Sequence, residues 1–507
     1  MTSRDASPVL LSIAEMKRAE ATAIAAGTPS RALMEKAGAG AAALIVQGWD
    51  KRRVSVLCGP GANGGDGLVV ARVLKDAGWP VRVCVLGGEE AISGDAAEMA
   101  RLYEGDFEPF SPAILDNAAL IVDALFGTGL SRDIDSAAAA MIAAANAHPA
   151  PVFAIDIPSG VDADTGAVKG VAISAVRTAT FFTKKPGHVL FPGRALSGVV
   201  EAVDIGIDGK TLEAIRPLTV ENQPAVWGRA FPRPGFQSHK YARGGAAVVT
   251  GSRFATGAAR LAAMGALRAG AGVVTLLSPR EAAVENAAHA TSLMVRLCDD
   301  APDVAAFLAD ARYRTAVIGP GAGVNEGTAQ STLAILGSSA SAVLDADALT
   351  CFSGAAERLF DALRNGDVMT PHGGEFMRLF SGLIKAPEAR LSAARAAAER
   401  AGCIVVLKGA DTVIAAPDGR AAINSNAPPD LATAGSGDVL AGFIAGLRAQ
   451  GMPAFEAASA AVWLHGACGQ AAGPGLIAED LPSALPGVYR ALFTPPRADA
   501  PRGSAEK

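Results

Sequence analysis

The chain has 507 residues, too many for one hydrophobic core, so two to four domains are expected. Half the residues are hydrophobic, only 5% are aromatic, and much of the apolar content is alanine, which suits a helix-rich globular protein. The net charge is −5 with no basic block, so bulk electrostatics do not favour nucleic-acid binding and leave phosphate binding to local features.

In chain order, Ser12 to Gln47 reads as helical. Val54–Cys58 reads as a buried strand and runs into the glycine-rich loop Gly59-Pro60-Gly61-Ala62-Asn63-Gly64-Gly65-Asp66, with a helix predicted over Gly67–Ala77. A glycine loop between strand and helix puts backbone N–H groups at the carboxyl edge of a sheet, where open α/β folds bind ligands. Val81–Leu86, Leu120–Asp123 and Val152–Ile155 read as further strands, and Ser136–Ala147 as a helix. Apolar strands alternating with helices predict a parallel sheet covered on both faces.

Two more strand ends carry polar loops. One runs from Asp123 through Gly127, Thr128, Gly129, Leu130, Ser131 and Arg132 to Asp133. The other is Asp156-Ile-Pro-Ser159-Gly-Val-Asp162. Each alone is readable as a tight turn with an Asp cap. Together, Asn63, Asp123 and Ser159 offer oxygen donors suited to a hard cation of low charge. Lys184 and Lys185 are either a solvated surface pair or a basic pair reaching the same edge. Pro217, Pro224, Pro232 and Pro234 interrupt the pattern, so residues 1–215 are assigned to one domain and 216–235 to a linker.

The alternation resumes over 236–490. Ala246–Thr250, Val273–Leu277, Ala316–Ile318, Ala342–Leu344, Val368–Met369 and Ile404–Leu407 are expected strands; Thr256–Ala269 and Leu391–Ala401 are expected helices. Five loops at strand ends could share one cleft: the turn around Ala258, Gly319 to Gly323, Thr370 to Glu375, Lys408-Gly409-Ala410-Asp411-Thr412, and Gly435-Ser436-Gly437-Asp438. In the last, glycines and an apolar helix make an anion site, and Asp438 is either a helix cap or a base that takes a proton from an attacking hydroxyl. Glu375 is either a cap or a helper for Mg²⁺. The tail 491–507 is polar and Pro-rich and is expected to be disordered.

Six scattered cysteines without a CxxC pair argue for free thiols in a reducing compartment. No secretory signal and no apolar run of about 18 residues is present, so a cytoplasmic location without a membrane partner is expected.

The first-half motifs closely resemble the NAD(P)H-hydrate epimerase family, the YjeF N-terminal type, over roughly 10–215. The resemblance implies a Rossmann-like fold. Ala62, Asn63, Gly64, Gly65, Asp66, the run Gly127 to Asp133, and Asp156 would contact the hydrated dinucleotide. Asp156 would be the acid/base candidate, and Asn63, Asp123 and Ser159 would hold K⁺. Ala62 stands where the family usually has Asn.

The second half closely resembles the ribokinase-like ADP/ATP-dependent NAD(P)H-hydrate dehydratases, which implies an α/β/α sandwich. Ala258, Gly323, His372 and Asp438 would bind the hydrate. Lys408 to Thr412 and Gly437 would bind nucleotide with Mg²⁺, Gly435 to Gly437 would form an anion hole, and Asp438 would be the base. Gly373 replaces the family's usual Pro, and Asp411 its usual Gly. Together the halves resemble a bifunctional, homo-oligomeric repair enzyme for hydrated NADH and NADPH. The alternatives are a small-molecule kinase of ribokinase fold, or a first domain serving as a scaffold or RNA-binding module.

Overall fold

The computed structural model describes residues 7–383 and 389–494. The last expected segment therefore falls outside the described residues from 495 on, while 491–493 complete a helix, Asp480–Phe493. The chain separates into two units, dividing between Glu221 and Asn222.

The first unit contains Val54–Cys58 (β1), Val81–Val85 (β2), Phe107–Glu108 (β3), Leu120–Ala124 (β4), Val152–Ile155 (β5), Arg177–Phe181 (β6), Val199–Val203 (β7) and the short Thr219–Glu221 (β8). Strands β1 to β7 form an all-parallel sheet in the order β3-β2-β1-β4-β5-β6-β7. β1, β4 and β5 are buried along their whole length, as strands sandwiched between helices must be. The order reverses between β1 and β4, which opens a crevice at their carboxyl ends.

Two elements differ from expectation. The stretch 12–47 forms two helices, Ile13–Ala25 and Ser30–Gly48, broken at Gly27-Thr28-Pro29. The first begins with a capping box between Ser12 and Glu15. Next, the glycine run after β1 is itself the opening of a helix, Ala62–Asp76. A Cβ on Gly64 would strike the carbonyl of Gly59, and one on Gly67 would press on Ala124 at 2.5 Å. The glycines thus let this helix lie against the β1 and β4 backbones.

The second unit contains Gly245–Val249 (β9), Val273–Ser278 (β10), Met294–Leu297 (β11), Tyr313–Ile318 (β12), Ser341–Leu344 (β13), Val368–Met369 (β14), Ile404–Leu407 (β15), Val413–Ala415 (β16) and Ala421–Ile423 (β17). Their order is β11-β10-β9-β12-β13-β14-β15-β16-β17, parallel up to β15 and antiparallel beyond it. Residues 222–235, expected as a linker, instead carry short helices of this unit. Trp227 is buried there against Trp463 and Phe231, because an indole of that size is too apolar to leave in a solvated connector.

Candidate functional site

In the first unit, the loops after β1, β4 and β5 line a cavity of about 490 Å³. Its walls include Ala62, Asn63, Asp66, Gly127 to Arg132 and Asp156. Asp133, Gly64 and Gly65 are not on the wall: the glycines pack behind it, Gly64 on Gly59 and Gly65 on Met34.

Asp123 and Ser159 are fully buried and joined by two bonds. The Ser159 amide donates to Asp123 Oδ2 at 2.7 Å, and its hydroxyl to Oδ1 at 2.6 Å. Burial pushes the Asp123 carboxyl up to about 6 despite these donors. Asn63 is buried, and among the described residues neither its amide oxygen nor its amide nitrogen has a hydrogen-bond partner. An orphaned oxygen of that kind calls for a partner from outside the chain. A Cβ on Gly127 would lie 3.0 Å from both Asn63 Oδ1 and Asp156 Oδ2, so the loop passes close to both groups.

Asp156 has φ of 64°, a left-handed backbone that costs free energy in a non-glycine residue and clusters at functional sites. Lys185 is 1% exposed and donates to Asp156 Oδ1 at 2.9 Å, to Thr180 Oγ1 at 2.7 Å and to the Phe181 carbonyl at 3.2 Å. The Thr128 amide donates to Asp156 Oδ2 at 3.1 Å. Burial opposes ionisation of Asp156, yet the Lys185 ammonium outweighs it and holds the carboxyl below its ordinary range. Of the two lysines, Lys185 is thus a site residue, while Lys184 pairs with Glu221 at 2.9 Å. The surface-pair reading fails because Lys185 follows β6 at the same sheet edge as Asp156.

In the second unit, the loops after five strands converge. A Cβ on Gly251, after β9, would strike the Gly321 carbonyl after β12, and Gly321 lies close to Ala258. The Gly323 amide donates to Asp347 Oδ2 at 2.8 Å, beyond β13. Lys408, after β15, donates to Asp345 Oδ1 at 2.6 Å. A Cβ on Gly437 would lie 3.3 Å from Lys408 Nζ. The Lys408 amide donates to the Pro371 carbonyl, which brings His372 alongside.

Asp438 stands in the first turn of helix Ser436–Ala449. The cap is Gly435 at φ 86°, and no side chain caps the turn, so the helix end keeps its positive pole for an anion. Burial, and then the charge of Asp345, push Asp438 up to about 6, with Lys408 pulling the other way. Asp438 therefore does not act as the helix cap. Glu375 does act as one: its carboxylate accepts the His372 amide at 2.8 Å while His372 Nδ1 accepts the Gly374 amide at 2.9 Å.

Residues 246–483 match the family model described as NAD(P)H-hydrate dehydratase, and residues 30–187 match YjeF-related protein N-terminus. A protein of Salinibacter ruber named bifunctional NAD(P)H-hydrate repair enzyme Nnr is 37% identical, covering 97% of this chain and 99% of its own. The chain belongs to the bifunctional NAD(P)H-hydrate repair enzyme (Nnr) family. Its relatives of the same name include those of Moorella thermoacetica, 38% identical over 92% of this chain and 93% of that one, and Escherichia coli, 34% over 90% and 88%. A solved Bacillus subtilis ADP/ATP-dependent NAD(P)H-hydrate dehydratase, co-crystallised with ATP/Mg²⁺, is 31% identical over 52% of this chain and 95% of its own, with a TM-score of 0.47.

Gly373 sits at the first helical position after His372, with open space where a side chain would go. Asp411 is 4% exposed within the loop whose Thr412 hydroxyl donates to the Gly409 carbonyl at 2.9 Å, and Ala410 lies in that same loop. Sequence reading missed Lys185's partner Thr180, His188, Asp345, Asp347 and His465. His188 Nε2 lies 2.9 Å from the Asp156 carbonyl oxygen, and burial with the nearby Lys185 lowers it to about 3, so it is a neutral ring. His465 is likewise kept neutral, lowered to about 4 by burial, and its Nε2 lies 3.1 Å from Ser436 Oγ. Asp345 was detectable, because it directly follows β13 much as Asp123 lies near the end of β4, and Asp347 stands in the first turn of the helix after it.

Proposed function

We propose that the cavity of the first unit is the epimerase site of this repair enzyme and the loop cleft of the second its dehydratase site. The enzyme interconverts the R and S hydrates of NADH and NADPH, then restores the dinucleotide from the S form at the expense of ADP or ATP. Its substrates are small molecules, and its place is the cytoplasm, as a homo-oligomer.

In the second unit, Asp438 takes the proton of the ring hydroxyl as that oxygen attacks the terminal phosphate of the nucleotide. The amides of Gly435, Ser436 and Gly437 face the charge that develops on the phosphoryl oxygens. Lys408, tethered by Asp345, supplies a second positive charge beside Gly437. Ala258, Gly323 and His372 bind the hydrate, and the Lys408–Thr412 loop holds the nucleotide. The phosphorylated hydrate then loses phosphate, expelled by the ring nitrogen's lone pair. Among the described residues no three His, Cys, Asp or Glu side chains cluster as a metal site, so Mg²⁺ fits as a companion of the nucleotide phosphates, where it neutralises charge.

In the first unit, K⁺ fits the oxygen set of Asn63, Asp123 and Ser159, since Asn63 Oδ1 lacks any partner and Asp123 is a buried carboxylate. When bound, it supplies the positive charge that Asp123 lacks and ties together the loops after β1, β4 and β5. The loop Gly127 to Asp133 and the helix turn Ala62 to Asp66 hold the hydrate against the Asp156–Lys185 pair.

The observation that carries this reading is the uncapped helix end that sets Asp438 beside Lys408, in a chain whose two halves match both family models. Purified protein incubated with mixed hydrate epimers and ADP or ATP should restore the dihydronicotinamide absorbance completely. A stable phosphorylated product, with no restored absorbance, would establish a kinase instead.

A further inference from the structure

Six ionisable side chains line the cavity of the first unit: Lys17, Glu20, Asp66, Arg132, Asp156 and Lys185. They are not equivalent. Both carboxylate oxygens of Asp156 are occupied, Oδ1 by the Lys185 ammonium and Oδ2 by the Thr128 amide. Asp66 is 9% exposed, faces the same space, and its carboxyl takes part in no hydrogen bond or ion pair among the described residues. It lies one turn beyond Asn63 on helix Ala62–Asp76, a rigid element rather than a loop.

We propose that Asp66 is the catalytic acid of the epimerisation, and that the Asp156–Lys185 pair is a fixed charge pair beside it. This rests on the cavity being the epimerase site, and it deepens that reading. The reacting carbon of the hydrate carries both a hydroxyl and the ring nitrogen. The Asp66 carboxyl gives its proton to the hydroxyl oxygen. The carbon–oxygen bond breaks, water leaves, and the nitrogen lone pair forms a carbon–nitrogen double bond with positive charge on nitrogen. Water then adds to the opposite face and returns one proton to Asp66. One water leaves and one enters, and nothing is oxidised or reduced. The Asp156 carboxylate is a permanent negative charge that favours the cation.

The environment of each carboxyl suits its role. Burial pushes Asp66 well above the usual carboxylate range, and the charges of Asp156 at the end of β5 and Glu20 on helix Ile13–Ala25 add to the effect, with Lys185 opposing. Asp66 is therefore the carboxyl that holds its proton more readily, and Asp156 the one that gives it up more readily. Two acidic groups driven apart in this way divide acid from counter-charge.

The test uses the full chain with the pure R hydrate and no nucleotide, following the S epimer by chromatography and subtracting the spontaneous rate. D66N should lose at least about 100-fold in kcat, the usual scale for a lost general acid, with KM changed less than threefold. The wild-type rate should fall as pH rises, and that alkaline limb should be absent from the residual activity of D66N. D66E should recover part of the rate. Retention by D66N of more than a tenth of the wild-type rate overturns the assignment. A wild-type profile without an alkaline fall does the same, and needs no variant to fold. If the wild type does not interconvert the epimers at all, it is the epimerase reading itself that falls.

Discussion

At the residue scale, the two sites show how burial selects which carboxylates do chemistry. Asp438 is half-buried and raised to about 6, so it is ionised at neutral pH yet basic enough to accept a hydroxyl proton in the transition state. The sign of the pH effect follows. Below about 6 the carboxyl is protonated and cannot act as base, so kcat/KM for dehydration should fall about tenfold per pH unit there and level off above it. D438N should lower nucleotide-dependent dehydration by at least about 100-fold while epimerisation continues. Dehydration by D438N above a few per cent of wild type would put the base elsewhere. The Asp156–Lys185 pair responds differently, because each partner is buried. Lys185→Met leaves a buried carboxylate without its cation, which should cost about 3–5 kcal/mol in the stability of the first unit, measured by denaturant titration. K185M/D156N removes the stranded charge and should recover most of that loss. Equal destabilisation in both variants would mean that packing of the lysine stem, not charge, is what the site loses.

At the element scale, most strands were legible because buried parallel strands are runs of β-branched residues that need no partner information. β1, β5, β14 and β15 have the bounds their sequence suggests. Some strands that escaped notice have a broken apolar pattern, while β16 and β17, apolar and buried, are only three residues long. β6 contains Arg177, Thr178 and Thr180, and β11 at the sheet edge exposes most of its residues. The glycine run after β1 was misread for a physical reason. Glycine lowers helix propensity, so propensity alone predicts a loop there, whereas close approach to the Gly59 carbonyl requires glycine within the helix. That reading is testable. Gly64→Ala adds a Cβ into the Gly59 carbonyl, and should destabilise the first unit by about 1–3 kcal/mol although alanine is the better helix former. A stabilised protein would mean that the turn relaxes and that its glycines serve only the ligand. The site residues divide along the same line. Asp123 and Asp438 drew attention because one lies near the end of a strand and the other in the first turn of a helix, and Ser159 because it sits in the polar loop just after β5. Lys185 was ambiguous because a lysine pair looks the same in sequence whether solvated or buried, and only the return of the chain after β6 distinguishes them.

At the scale of the whole molecule, two α/β units of different topology place their loops at the carboxyl ends of their strands, and each has its own chemistry. The logic of joining them is that only the S hydrate is dehydrated, while spontaneous hydration supplies both epimers. Removal of either activity should therefore leave a distinct residue of unrepaired substrate. Asn63→Ala deletes the unpaired amide oxygen that completes the proposed K⁺ set, without touching the second unit. Given an equal mixture of R and S hydrates with ADP or ATP in excess, N63A should restore about half of the dihydronicotinamide absorbance at the wild-type rate. The remainder should then appear only as fast as R converts spontaneously to S. Added D438N protein, whose dehydratase is disabled but whose epimerase is intact, should release that remainder. Wild-type epimerisation by N63A would remove Asn63 from the metal site. Loss of the rapid S phase as well would show that the two units do not work independently.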